Sequence, residues 1–293
     1  MKKVFSFTAA LICLLAVSCK KDKPVTQPSP TTPAGPKLII KLQFDSTQAR
    51  LDNFGNPSTI PAGHAAQSPV FFGLSAHFIE LSQNDTVMPG NGEMLYKGVQ
   101  TSAGGDVAAD FDQAIVKGNN ETFLTIPLSS IVPGTYNYLR ASITYQNYDI
   151  KYKVGSTGYV GRLSSFVGWN TYLTDYTIKT QSVTVNANKL QGYFGFEGPV
   201  GVIQGQTPAG ATTVPNPIAA TSPIPAGSCL VTGQFAAPFT ITGSETNDIT
   251  IVLSLSTNKS FEWKDNNANG TFEPLGGDTV VNMGLRGLIP MVQ

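Results

Sequence analysis

Alternation of apolar and polar residues dominates the chain. "KLIIKLQF" (Lys37–Phe44), "VFFGLSAHFIEL" (Val70–Leu81), "ETFLTIPL" (Glu121–Leu128) and "YLRASITYQ" (Tyr138–Gln146) read as strands in the first half. "YTIKTQSVTV" (Tyr176–Val185), "QGYFGFE" (Gln191–Glu197), "CLVTGQF" (Cys229–Phe235) and "DITIVLSLS" (Asp248–Ser256) read so in the second. A period near two is what a strand with one buried face requires. Between the runs stand "PGNG", "TSAGG", "KGNN" and "VPGTY", all turn chemistry. A helical period builds up in one place, "GRLSSFVGWNTYL" (Gly161–Leu173), through Leu163, Phe166, Val167 and Trp169. The pattern predicts an all-β fold: an antiparallel β-sandwich or related barrel with long Gly/Pro-rich loops.

Composition sharpens this. With 29 glycines and 20 prolines among 293 residues, almost no window is long enough to sustain a helix. The longest such interruption is Pro199–Gly227, a Gly/Pro/Thr stretch that reads as a functional or covering loop. It marks two possible sub-layers, 37–198 and 228–293. The second is too short to be trusted as an independent core, so 37–293 is expected to be one domain.

The N-terminus addresses compartment. Lys2 and Lys3 precede the apolar run "VFSFTAALICLLAV", which is too short to span a bilayer comfortably. Ala16 and Ser18 before Cys19 resemble the bacterial lipoprotein box. That resemblance implies a signal peptide over 1–18, cleavage before Cys19, and acylation (palmitate among the chains) of its thiol. An ordinary secretory signal with a chance cysteine is the alternative. Residues 19–36 then form an acylated cysteine and a Pro-rich tether, extending about 3 Å per residue where polyproline-like. Lys20 fits outer-membrane sorting, and "KKDK" resembles the tethers of Bacteroidota lipoproteins. The expected location is the outer membrane, lipid-anchored, on its periplasmic or surface-exposed face.

Charge excludes one class of partner. The chain has 19 basic and 19 acidic residues, and loss of Lys2 and Lys3 with the leader leaves it weakly acidic. No electrostatic case for nucleic acid follows. Of three cysteines, Cys13 leaves with the leader and Cys19 carries lipid, so Cys229 is a lone thiol. It opens an apolar strand pattern and reads as a buried small side chain rather than a nucleophile.

"FEWKDNNANGTFEP" (Phe261–Pro274) carries the most specific chemistry. Asp265, Asn267, Asn269 and Gly270 fall at positions 1, 3, 5 and 6 of a calcium loop, and Thr271 can offer its carbonyl at 7. Position 12 is Gly276 instead of Glu, so Glu273 or Asp278 must supply the missing carboxylate. The expected cofactor is a weakly bound, structural calcium ion; the alternative is an Asn-Gly hairpin turn.

Other candidates are thinner. His64 and His77 are the only histidines. The strand order of "KLIIKLQFDSTQARL", "FFGLSAHFIELS" and "IPLSSIVPGTYNYLRASI" resembles the periplasmic copper-binding family associated with methanobactin use. The resemblance covers roughly 37–145 and implies a β-sandwich binding copper through two histidines. That family's Trp-x-His pattern is absent here. Asp106, Asp110, Asp112, Glu80 and Glu197 could pair in space as acid and base of a hydrolase. Trp169, Tyr172, Tyr176 and Tyr193 could form an aromatic platform for sugar rings, or fill the core. The mature chain, through "SPIPAGSCLVTGQF" and "STNKSFEWKDNNANGTFEP", resembles a family of uncharacterised Bacteroidota lipoproteins; this implies origin and anchoring but no activity. The leading expectation is a non-enzymatic envelope module binding a glycan or an envelope protein. A copper-binding protein and a carboxylate hydrolase are the alternatives.

Overall fold

The computed structural model describes residues 35–52, 54–207 and 220–293. The expected signal peptide (1–18), Cys19, the expected tether except residues 35 and 36, residue 53, and 208–219 of the long loop lie outside them. The first strands are β1 (Lys37–Asp45), β2 (His64–Gln67), β3 (Val70–Ser82), β4 (Glu93–Lys97), β5 (Gln100–Thr101), β6 (Ala108–Asp110), β7 (Thr122–Pro127), β8 (Gly134–Val154) and β9 (Thr157–Phe166). β10 (Asn170–Thr177), β11 (Ser182–Leu190), β12 (Tyr193–Gly198), β13 (Gly201–Gln206), β14 (Cys229–Ile241), β15 (Ile249–Ser256), β16 (Phe261–Lys264), β17 (Thr279–Met283) and β18 (Leu288–Val292) follow. The only helical segments among the described residues are three short 3-10 turns. The chain is all-β, as the alternation predicts.

The strands form four sheets. The largest is curled and seven-stranded, in the order β13-β12-β9-β8-β3-β4, with β14 also paired to β8. Packed with it is a four-stranded sheet, β18-β15-β1-β7. Leu38, Ile40 and Leu42 of β1 and Leu253 of β15 share one buried cluster with Leu139 of β8 and Leu81 of β3. Side chains of this kind each contribute about 1.5–3 kcal/mol when fully buried. A second cluster joins Tyr145 and Phe166 of the curled sheet to Leu173, Tyr176 and Val183 of the sheet β11-β10-β6-β5. The small sheet β17-β16-β2 completes the set, with Phe261 and Trp263 in the main core.

β8 organises the whole. Its odd positions Leu139, Ala141 and Ile143 face the main core, and then the frame flips to Tyr148, Ile150 and Tyr152. The flip occurs at Thr144, which has no opposite number on β3: Ser75 pairs Tyr145 while Ala76 pairs Ile143. One extra residue in a strand exchanges its faces. At the same point the neighbour on the other edge changes from β14 to β9. The Thr144 carbonyl accepts the N–H groups of Val167 (2.8 Å) and Gly168 (3.2 Å), which pins the junction.

Several expectations are corrected. Gly161–Leu173 is no helix but the end of β9, a bend and the start of β10, since Phe166 and Leu173 reach one core from two strands. Tyr176–Val185 is not one strand; it is the β10–β11 hairpin. Two pairings are parallel, β1 with β15 and β6 with β10, within an otherwise antiparallel set. The stretches 37–198 and 228–293 are not separate layers, because β14 pairs β8, β15 pairs β1 and β16 pairs β2. The long loop begins as the β12–β13 hairpin, and Ile224 near its end is buried against Phe78 and Leu230.

Candidate functional site

The 265–278 segment joins β16 to β17, which pair from Phe261↔Met283 to Lys264↔Thr279. Asn269-Gly270 therefore sits inside a long connection and is not a two-residue hairpin turn. Asp265 shapes the connection: its Oδ1 accepts the Asn269 N–H (3.2 Å) and its Oδ2 the Gly270 N–H (2.7 Å). Gly270 adopts a positive φ of 72°, the turn a calcium loop needs glycine for. The wrap brings Asn267, Asn269 and Glu273 together, with Glu273 Oε2 accepting Asn267 Nδ2 (2.6 Å) and Asn269 Nδ2 (3.0 Å). Half a turn of either amide about its last torsion exchanges nitrogen for oxygen, which is the donor set a hard cation takes.

Thr271 donates its N–H to Asn269 Oδ1 (2.8 Å), a bond that leaves its carbonyl free of this contact. Asp278 is buried and braces the backbone, accepting the N–H of Asn266 (2.9 Å) and of Glu273 (2.7 Å). Among the described residues no three His, Cys, Asp or Glu side chains converge on a point where they could hold a metal. What fits a calcium ion here is one carboxylate with neutral amides and carbonyls, a weak combination.

The histidines are not brought together. His64 lies on β2 with its Nδ1 2.6 Å from Glu262 Oε1, in a cluster where Arg50 and Arg286 also donate to that buried carboxylate. His77 lies on β3, its ring tilted against Phe78 (centroids 4.2 Å apart) and Trp169 (5.8 Å). Gln100 Nε2 is 3.0 Å from its Nε2. Burial, helped by Lys97, holds the His77 imidazole down near 4, so the ring is neutral. The two residues sit in different sheets with different partners, because β2 turns to β16 while β3 runs along β8.

The aromatic platform also dissolves. Tyr176 and Tyr193 are core residues, their hydroxyls 3.2 Å apart, with Tyr193 donating onward to Gln204 Oε1 (2.5 Å). Burial pushes both phenols up. Gly195 makes this packing possible, since a Cβ there would lie 2.2 Å from the Tyr176 hydroxyl. Trp169 and Tyr172 are half-buried. Cys229 is buried and its thiol is pushed up to about 12, which removes it as a nucleophile. Three of the candidate carboxylates hold structural bonds: Glu197 binds the backbone of 179–181, Asp110 caps a 3-10 turn, and Asp112 accepts from Thr174.

What sequence reasoning missed is a groove of about 890 Å³ lined by β8, β14 and β18 and by the loops at 51–56 and 85–89. Its floor is built from cross-strand neighbours, Arg140 opposite Thr232 and Tyr138 opposite Gln234, so their side chains share one face. Phe54 and Met88, both exposed, come from the loops on either side. Arg140 is only 4% exposed, and its Nη1 donates to Glu80 Oε1 (3.3 Å). Glu80 also accepts the N–H groups of Gly90 (2.9 Å) and Gly92 (3.1 Å). A Cβ at Gly92 would lie 2.3 Å from the Leu81 carbonyl, so "PGNG" lets the backbone close onto the carboxylate. The only cue in the sequence was an exposed-looking Phe beside a turn.

Comparison with protein-family models, with curated proteins and with solved structures finds no match for this chain.

Proposed function

We propose that this protein is a lipid-anchored module of the bacterial cell envelope that binds a glycan or a partner protein without transforming it, with the 265–278 loop stabilised by calcium. The anchor rests on the lipoprotein-like run ending at Cys19. The binding role rests on one observation above all: a broad concave face whose floor carries a fixed arginine, a tyrosine and amides. Pockets of this size with a few convergent polar groups are the usual form of a ligand site. Among the described residues lining it there is no histidine or cysteine, and Asp85 is the one carboxylate. Glu80, its nearest buried carboxylate, is committed to Arg140 and two backbone N–H groups.

The test is a panel of soluble oligosaccharides offered to the chain from Cys19 onward, with the retained material analysed for chain length. Retention of a defined saccharide, recovered uncut, is the expected outcome. Shortened products would make the protein a hydrolase. Failure to retain any saccharide would remove the glycan half of the reading.

A further inference from the structure

The groove over β8, β14 and β18 has a chemistry specific enough to name its ligand. Arg140 Nε and Nη2 have no partner among the described residues, and the groove it lines is the space into which they can donate. Glu80 neutralises this arginine from beneath. The one other charged side chain in the lining is Asp85, an exposed acceptor. No unbalanced positive charge therefore awaits an acidic ligand. Gln234, Asn56 and Thr232 offer further donors and acceptors along the same face. Phe54 is 66% exposed, and Asp52 Oδ1 accepts the N–H groups of Phe54 and Asn56, each at 2.9 Å. Tyr138 lies half-buried on the floor. Aromatic faces with fixed hydrogen-bonding groups between them suit a ring that is apolar on its faces and polar at its rim.

We propose that this groove binds a neutral oligosaccharide of two or three hexose rings, stacked on Phe54 and Tyr138 and hydrogen-bonded by Arg140, Gln234 and Asp85. The proposal rests on the binding-module reading and assigns it a place and a ligand charge.

Calorimetric titration of the chain from Cys19 onward tests it, with cellotriose, maltotriose and mannotriose as neutral probes and trigalacturonate as the acidic one. Saturable binding of at least one neutral probe is expected, weakened on the order of tenfold or more by Phe54→Ala, as loss of an aromatic anchor entails. Gln234→Ala should weaken it less. Both residues are exposed, so their melting temperatures should stay at the parent value. Arg140→Gln should abolish binding but disturbs a buried pair, so it counts only if its melt is cooperative. Neutral binding indifferent to Phe54→Ala and Gln234→Ala would leave the glycan reading standing and overturn this groove as its seat. Preference for trigalacturonate would overturn the neutral assignment. No binding of any probe at millimolar concentration, or a hydrophobic peptide bound in their place, would overturn the proposal outright.

Discussion

At the scale of single residues, Glu262 gathers three ionic partners, more than any other carboxylate among the described residues. It is buried on β16 and meets Arg50, Arg286 and His64, which come from three other places in the chain. Burial pushes its carboxyl up, but the bond from His64 and the two guanidinium charges outweigh that and hold it below its usual value. Removing one member of such a group strands the others without compensation, typically at about 3–5 kcal/mol. Glu262→Gln should therefore lower the unfolding free energy by about that much in a urea titration, with the slope unchanged. A loss under 1 kcal/mol would mean that water already solvates the two guanidinium groups. Nothing in "SFEWKD" announces this cluster. Glu262 alternates with Phe261 and Trp263 as an outward residue should, and its partners lie as much as 212 positions away. The pairing of β16 with β2 brings in His64, and the segments before β2 and after β17 bring in Arg50 and Arg286.

Strands and loops were more legible, and unevenly so. β1, β3, β7, β14 and β15 announce themselves because each carries apolar residues at period two between strong breakers. The β10–β11 hairpin does not, since its turn, Ile178 to Gln181, holds no Gly, Pro, Asn or Asp. Its turn chemistry is borrowed from β12: Glu197 accepts the N–H groups of Lys179 and Thr180 at 2.9 Å and of Gln181 at 3.1 Å. The parallel partnership of β1 and β15 was hidden for a different reason, since both strands read alike in either direction. For the 265–278 loop, sequence supplied the spacing, and the fold supplied the convergence of Asn267, Asn269 and Glu273. Calcium at about 100 times its dissociation constant adds about 2.7 kcal/mol, a rise on the order of 5–10 °C for a domain of this size. Thermal melts in chelator and in millimolar calcium should show that rise, and Asp265→Ala should erase it. An unchanged melting temperature would reduce the segment to a connection held by its own hydrogen bonds.

For the molecule as a whole, two groups in different parts of the curled sheet set the response to acid. His77 is kept neutral near 4 by burial, whereas the ring takes up a proton near 6.5 in an unfolded chain. Above that value the two states agree. As pH falls from 6.5 towards 4 the unfolded chain binds a proton the fold refuses, so stability drains away in that window. Glu197 acts lower down. Burial raises its carboxyl, but the Thr180 hydroxyl and the N–H groups of 179–181 outweigh this and hold it at about 2 against 4.5. Its contribution is complete above about 4.5 and disappears as pH falls towards 2, loosening the β10–β11 turn first. Asp45, Glu245 and Glu262 are also held low and add to that second arm. Denaturation midpoints measured from pH 8 to 3 should therefore be level above 6.5 and decline in two stages below it. His77→Gln should flatten the upper stage and leave the lower one, while Glu197→Gln should shrink the lower stage and leave the upper one. A midpoint level from 6.5 to 4.5 in the parent protein would mean that His77 accepts its proton in the folded state, and with it that the contact with Gln100 and Trp169 opens to water.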